Sequence, residues 1–306
     1  MASAPAPYDH PAKLRDAFAS RPVAAHNDTW DSLYAESFHP WDRAGPSLAL
    51  ADLIAQRTDL IPPSLERDPR GNPLRDSAGA VIRRSALIPG CGLGHDVLLL
   101  SSLGYNVVGL DYSQRALGLA RENQDKALHE GRYKSVEEGV DGGRVTWVSG
   151  DFFGNKWEGG AGGEATAKFD LIYDYTHGRL TSGFSSVLQQ FLCALQPSER
   201  PRWAKRMSQL LAPGGQLICL EFPSGKPLSQ QGPPWGVWPE VYEALLAYPG
   251  EPVEYTDDGN VKPSETPQQP HPDALHRVCL VKPPRTHKAG TNEDGSVRDF
   301  ISVWSR

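Results

Sequence analysis

The chain has 306 residues, with 31 lysines and arginines against 37 aspartates and glutamates, for a formal net charge of −6. That balance, a pI near 5.9 and the lack of any basic run interleaved with aromatics argue against a nucleic acid as the main partner, and no apolar stretch is long enough to span a bilayer. Eight tryptophans and a hydrophobic fraction of 39% suffice for a real core, and Met1-Ala2-Ser3-Ala4-Pro5-Ala6-Pro7 lacks a signal-peptide core, so a cytoplasmic protein is expected.

Residues 1–25 read as a flexible N-terminal arm, with room for a short helix over Pro11–Ala19. Asp28 is placed to N-cap a helix that carries Trp30, Leu33 and Tyr34 on one face and stops before Pro40. Pro40-Trp41-Asp42 follows in an otherwise polar loop, and Ser47–Arg57 is a second amphipathic helix. Residues 66–80, with Asp68-Pro69-Arg70-Gly71-Asn72-Pro73, read as a surface loop. From Val81 onward apolar strands alternate with helical patterns. Strands are expected at Arg84–Ile88, Val107–Asp111, Val145–Ser149, Phe169–Asp174 and Gln216–Glu221, with late strands at Arg277–Val281 and Asp299–Trp304. Helices are expected at Val97–Leu103, at Ser113–Ala127 with Ser113 as its cap, from Ser198 or Pro201 to Leu211, and over residues 238–247; Ala212-Pro213-Gly214-Gly215 stops the third of these. Alternation of this kind means a doubly wound, mostly parallel α/β sheet. The cysteines Cys91, Cys193, Cys219 and Cys279 form no C-x-x-C pair and read as buried free thiols.

The most informative run is Ala86-Leu87-Ile88-Pro89-Gly90-Cys91-Gly92-Leu93-Gly94-His95-Asp96-Val97, followed by Val107-Val108-Gly109-Leu110-Asp111. It reads as strand, glycine turn, helix, and a second strand ending in a carboxylate. Glycines at 90, 92 and 94 let the backbone pass close to a ligand beside a helix N-terminus, and Asp111 is placed to accept hydrogen bonds from both hydroxyls of a ribose. A dinucleotide fingerprint needs glycine where His95 stands, and no Gly-Lys-Ser/Thr follows to make a P-loop. The remaining G-x-G-x-G is the pattern of methyltransferases that bind S-adenosylmethionine. In an open sheet the ligand lies beyond the carboxyl ends of the strands, which selects Gly90, Asp111, Asp151-Phe152 and Asp174-Tyr175-Thr176. Asp151 and Phe152 suit an adenine, although a turn cap and a core ring also account for them. His39, His95 and His177 are the nearest candidate bases and read as loop or cap residues, and no metal-ligand cluster is evident.

Further motifs extend the pattern: Trp30-x-x-x-Tyr34, Pro40-Trp41-Asp42, Gly109-Leu110-Asp111-Tyr112-Ser113, Asp151-Phe152-Phe153, Phe169-Asp170-Leu171-Ile172-Tyr173-Asp174-Tyr175-Thr176, Phe191 to Pro197 with Arg200, Trp203, Ala204 and Met207, Pro213-Gly214-Gly215 and Gly232-Pro233-Pro234. With these the chain resembles the thiol and halide (thiocyanate) methyltransferases, the branch of S-adenosylmethionine enzymes that also includes thiopurine methyltransferase. The resemblance implies a class I, seven-stranded Rossmann-like sheet with an N-terminal helical cap. The domain would be single over 26–306, with the cap at 26–60 and an insertion or lid at 177–190. It further implies S-adenosyl-L-methionine as cofactor and a small acceptor, namely a thiol, bisulfide, thiocyanate or halide, on a monomeric enzyme. Trp30, Tyr34 and Trp41 would be aromatic walls; Gly90, Gly92 and Asp111 would hold the methionyl portion and ribose, and Asp151 and Phe152 the adenine. Tyr175 would line the methyl-transfer pocket, and Tyr175 and Trp41 would be the catalytic pair. The linker from Trp41 to Gly90, residues 177–190 and the C-terminal extension depart from the family pattern and bear on acceptor choice. Methyl transfer to oxygen or nitrogen of a small metabolite, or a catalytically silent binder, are the rival readings.

Overall fold

Short apolar runs separated by helices bury both faces only inside a parallel sheet, and that is where these lie. The computed structural model describes residues 10–19, 21–135, 140–161, 168–177, 189–221, 227–230, 232–233, 235–263 and 269–306. Strands β1 (Ser85–Pro89), β2 (Asn106–Asp111), β3 (Val145–Ser149) and β4 (Phe169–Asp174) fall within a residue of the positions expected from sequence. Two-residue strands β5 (Thr176–His177) and β6 (Gln189–Gln190) pair with each other, and β7 (Leu211–Glu221), β8 (His276–Val281) and β9 (Phe300–Ser305) complete the set. The main sheet has seven strands in the order β3-β2-β1-β4-β7-β9-β8. The first five run parallel, and β9 is antiparallel to both neighbours, as a closing hairpin. The order reverses between β1 and β4, so the loops leaving these two strands diverge and open a crevice.

Residues alternate between two cores along each central strand. Leu87, Ile172 and Leu217 face a cluster with Trp203, Met207, Tyr242 and Leu245, which come from α7 (Arg200–Leu210) and α8 (Pro239–Ala247). Ala86, Ile88, Leu171 and Ile218 face the other side, against Leu50 and Leu53 of α3 (Leu48–Gln56) and Val97 and Leu100 of α4 (His95–Ser102). Helix α5 (Gln114–His129) joins β2 to β3, and α6 (Phe191–Ala194) follows β6. Ser113 caps α5 through a bond from Ala116 N at 3.0 Å, and Ser47 caps α3 through one from Leu50 N at 3.2 Å.

Two local expectations change, and two others gain detail. Within the arm, the short helix given room over Pro11–Ala19 forms as α1 (His10–Phe18), and it is held down: Leu14 and Phe18 are buried in a third cluster with Leu33, Tyr34, Phe38 and Trp41. Helix α2 (His26–Ala35) runs on from a 3-10 turn at Val23–Ala25, so Asp28 lies in its first turn and is not its cap. Asp28 instead accepts a 2.9 Å bond from Tyr112 Oη. Ala212-Pro213-Gly214-Gly215 does not precede its strand but lies within β7, where the register jumps from Phe169↔Leu211 to Leu171↔Gln216. Residues 66–80 stay at the surface but are ordered by two turns, in which Asp68 Oδ1 takes the amides of Arg70 and Asn72, and Asp76 Oδ1 those of Ala78 and Ala80. Of the lid expected at 177–190, residues 178–188 lie outside the described residues. The C-terminal extension is tied back to α3 by Arg285, whose Nε and Nη2 lie 2.7 and 2.8 Å from the Asp52 carboxylate. Among the described residues no helix is long and apolar enough to cross a membrane.

Candidate active site

The loops leaving β1, β2, β3 and β4 meet the helical cap in one cleft. The cleft is open to solvent at its mouth and runs from the cap, past the glycine turn, to the loop after β4. Trp30, Tyr34, Trp41, Gly90, Gly92, Asp111, Asp151, Phe152 and Tyr175, all singled out from sequence, line this cleft. Their order follows the sheet: Asp151 after β3, Asp111 at the end of β2, Gly90 after β1 and Tyr175 after β4. With strands about 4.8 Å apart, Asp151 and Gly90 are separated by about 10 Å along the strand ends.

Asp111 is held in place from two sides. Its Oδ2 accepts from Gly92 N and its Oδ1 from Ser113 N, both at 2.9 Å. A carboxylate has about four lone-pair sites, so two remain for a pair of neighbouring hydroxyls. Burial pushes this carboxyl up to about 6, and the amides of Ser113, Gly92 and Tyr112 pull it partly back. Asp151 Oδ1 accepts from Phe153 N at 3.0 Å, capping its turn while lining the cleft. Phe152 is both core and cleft wall, packed edge-on to Phe153 and Phe191 with centroids 5.3 and 4.9 Å away.

The roof is aromatic. Trp41 stands perpendicular to Trp30 and to Tyr34, at 5.3 and 5.6 Å, and its Nε1 donates to Tyr34 Oη at 3.2 Å. Tyr34 in turn lies over the glycine turn, where a Cβ at Gly92 would come within 3.1 Å of its hydroxyl. Burial first, then the charge of Asp111, lifts the Tyr34 phenol well above its ordinary range. Gly94 serves packing where a ligand approach was expected. It does not line the cleft, its φ is +75°, and a Cβ there would lie 2.2 Å from the Trp147 ring. At the opposite end Tyr175 stacks on Tyr173, with centroids 5.4 Å apart and planes 18° apart, and its ring is 6.2 Å from that of His287 in the C-terminal extension. Burial pushes the Cys91 thiol well up, so this cleft residue is no ready nucleophile.

Sequence reasoning left Asp42, Arg43, His95, Asp96, Phe153 and Phe191 off the site, yet all line the cleft. Asp42 and His95 carried a signal, since both stand inside quoted motifs, but His95 opens α4 and faces the cleft where a loop or cap role was expected. Phe191 also stands in a quoted motif, and it reaches the cleft by packing on Phe152 and against Gly90, where a Cβ would lie 2.9 Å from its ring. Asp96 Oδ1 accepts from Ser47 N at 2.7 Å, joining the turn to α3, and burial raises its carboxyl to about 6.

The family described as Thiopurine S-methyltransferase (TPMT) matches residues 74–272. "Probable thiol methyltransferase 2" of Arabidopsis thaliana is 32% identical over 217 residues, 71% of this chain and 70% of that protein. "Thiocyanate methyltransferase 1" of Brassica oleracea is 30% identical over 225 residues, 74% of each chain. A solved structure described as "Conversion of a Disulfide Bond into a Thioacetal Group during Echinomycin Biosynthesis" shares the fold, with a TM-score of 0.51 at 16% identity over 92% of both chains. With a match of that extent lying over the very strands and turns that build the cleft, the chain belongs to the thiopurine S-methyltransferase family and is an S-adenosylmethionine-dependent methyltransferase.

Proposed function

We propose that the enzyme methylates a small sulfur nucleophile, a thiol, bisulfide or thiocyanate, at the Tyr175 end of the cleft. The observation that carries this reading is the line of Asp151, Asp111, Gly90 and Tyr175 across successive strand ends beneath an aromatic roof. The names of the relatives, thiol and thiocyanate methyltransferases, support the acceptor class.

Asp111 has the free lone pairs to hold a ribose, Asp151 and Phe152 flank the place for an adenine, and the turn at Gly90 and Gly92 adjoins the amino-acid end. Bound, S-adenosylmethionine supplies a methyl group on a positively charged sulfur. Trp30, Tyr34 and Trp41 cover that end of the cleft, and ring faces favour a cation while excluding water. Tyr175, fixed by its stack on Tyr173, holds the acceptor in line at near-attack distance. A thiol loses its proton within about two units of neutral pH, so alignment matters more than a strong base. The four free cysteines fit a reducing compartment, and we place the enzyme in the cytoplasm as a monomer.

The test offers labelled S-adenosylmethionine with thiols, bisulfide, thiocyanate, iodide and small phenols. Turnover on the sulfur nucleophiles, reduced at least tenfold in kcat/KM by Tyr175→Ala, is the expected result. Turnover on phenols alone would sink the sulfur assignment.

A further inference from the structure

We infer that Asp42 anchors the α-ammonium group at the cofactor's amino-acid end, and that His95 and Asn123 are positioning residues that aim it. This rests on the cofactor placement proposed above and assigns residues which that placement leaves without a role. His95 is the first residue of α4, directly after the glycine turn, and its Nε2 lies 3.1 Å from Asp42 Oδ1. Its Nδ1 lies 3.1 Å from Asn123 Nδ2, and the same Nδ2 donates to the Leu93 carbonyl at 3.0 Å. A carbonyl only accepts, so Asn123 presents its NH2 group to both partners. Nδ1 of His95 is therefore the acceptor, and Nε2 carries the proton and donates it to Asp42. The other Asp42 oxygen, Oδ2, accepts from Ala44 N at 3.2 Å. Bound once on each oxygen, the carboxylate is fixed in orientation and keeps a lone pair on each for the cleft it lines.

Place and charge together select the ammonium. Asp42 is tied through His95 to the far end of the turn whose near end meets Asp111, so it lies where a chain running from adenine through ribose arrives last. Asp96 and Asp111 are already engaged by the amides of Ser47, Gly92 and Ser113, and burial favours their acid forms. Burial acts on Asp42 in the same direction, but the hydrogen bonds from His95 and from the Ala44 amide help to outweigh it, and this carboxyl stays below its ordinary value. A carboxylate that stays charged is a poor proton acceptor for a thiol and a good partner for an ammonium group that is charged at neutral pH.

The experiment measures binding by calorimetry of S-adenosylhomocysteine, which has the amino-acid end, and of 5′-methylthioadenosine, which lacks it. Asp42→Asn should weaken the first about ten- to a hundredfold and leave the second within about twofold. His95→Phe should reproduce that selective loss, while His95→Gln, which keeps a donor near Asp42, should recover most of it. In the unmodified protein, nitrogen NMR should show His95 protonated on Nε2 and bare on Nδ1. Equal losses for both ligands, no loss for either, or the opposite tautomer would overturn the inference. If the wild-type protein bound neither ligand, the cofactor placement would fall with it, a result distinct from an Asp42→Asn variant that binds both normally.

Discussion

Asp111 couples cofactor binding to pH in a way that can be worked from its surroundings. In the ligand-free protein burial holds its carboxyl up at about 6, against an ordinary value of 3.8. Hydroxyls donating to it favour the charged form, so binding should bring the value back down toward about 4. The bound state then holds fewer protons than the free state between those values, and affinity must rise with pH across that window. For values of about 6 free and about 4 bound, S-adenosylhomocysteine should bind about tenfold more tightly at pH 7.5 than at pH 5, with about 0.8 of a proton released at pH 5. Calorimetry in two buffers of different ionisation heat reads both quantities at once. Asp111→Asn removes the titrating group and keeps one oxygen for a backbone amide. It should bind about ten- to a hundredfold more weakly at pH 7.5 and lose the tenfold pH dependence. A flat affinity from pH 5 to 7.5 in the wild type, or the same slope surviving in Asp111→Asn, would refute the assignment of this carboxylate to the ribose.

Asp174, 1% exposed at the end of β4, has a carboxyl that burial raises to about 7, only partly relieved by the 2.8 Å bond from Trp203 Nε1. Because this acid has a higher value folded than unfolded, its contribution is lost as pH climbs from about 4 through about 7, by up to about 4 kcal/mol. Asp174→Asn should therefore gain stability over wild type between pH 5 and pH 8 in urea unfolding, and a gap that stays constant would show that the carboxyl is not held as the acid. Gly94→Ala drives a Cβ into the Trp147 ring at a φ of +75° and should cost about 2 kcal/mol or more, with part of the loss recovered by Trp147→Leu. Trp41→Phe keeps a ring but removes the donor to Tyr34 Oη; stability should fall by about 1 kcal/mol and cofactor KM should rise severalfold, while an unchanged KM would detach Trp41 from the roof.

The central strands were legible because burial on two faces writes itself into a run of apolar residues, as in Phe169-Asp170-Leu171-Ile172-Tyr173. Asp111, Asp151 and Tyr175 were legible for a related reason. Each stands at the end of such a strand or within two residues of it, and the carboxyl ends of parallel strands converge on one crevice whatever the loops do. Local pattern failed where a single residue serves a distant partner. A short helix over Pro11–Ala19 was legible, but Leu14 and Phe18 are too sparse to announce its burial, which comes from Leu33 and Phe38 of the cap. The Ala-Pro-Gly-Gly run reads as a stop, yet the sheet absorbs it as an irregular stretch of β7 because strand pairing resumes on its far side at Gln216.

The same limit explains why the polar side of the cleft was the last part to emerge. Asp42 and His95 are 53 residues apart, and Asn123 is a further 28 away on α5. No period or spacing in the chain links them. Only the packing of the cap over the glycine turn brings Asp42 within reach of His95, and that packing needs Tyr34 above Gly92 and Ser47 bonded to Asp96. The cap and the turn therefore assemble as one unit. A substitution that loosens the cap, such as Trp41→Phe, should disturb the anchoring of the amino-acid end through Asp42 as well as the aromatic roof, whereas one at Asp151 should disturb the adenine end alone.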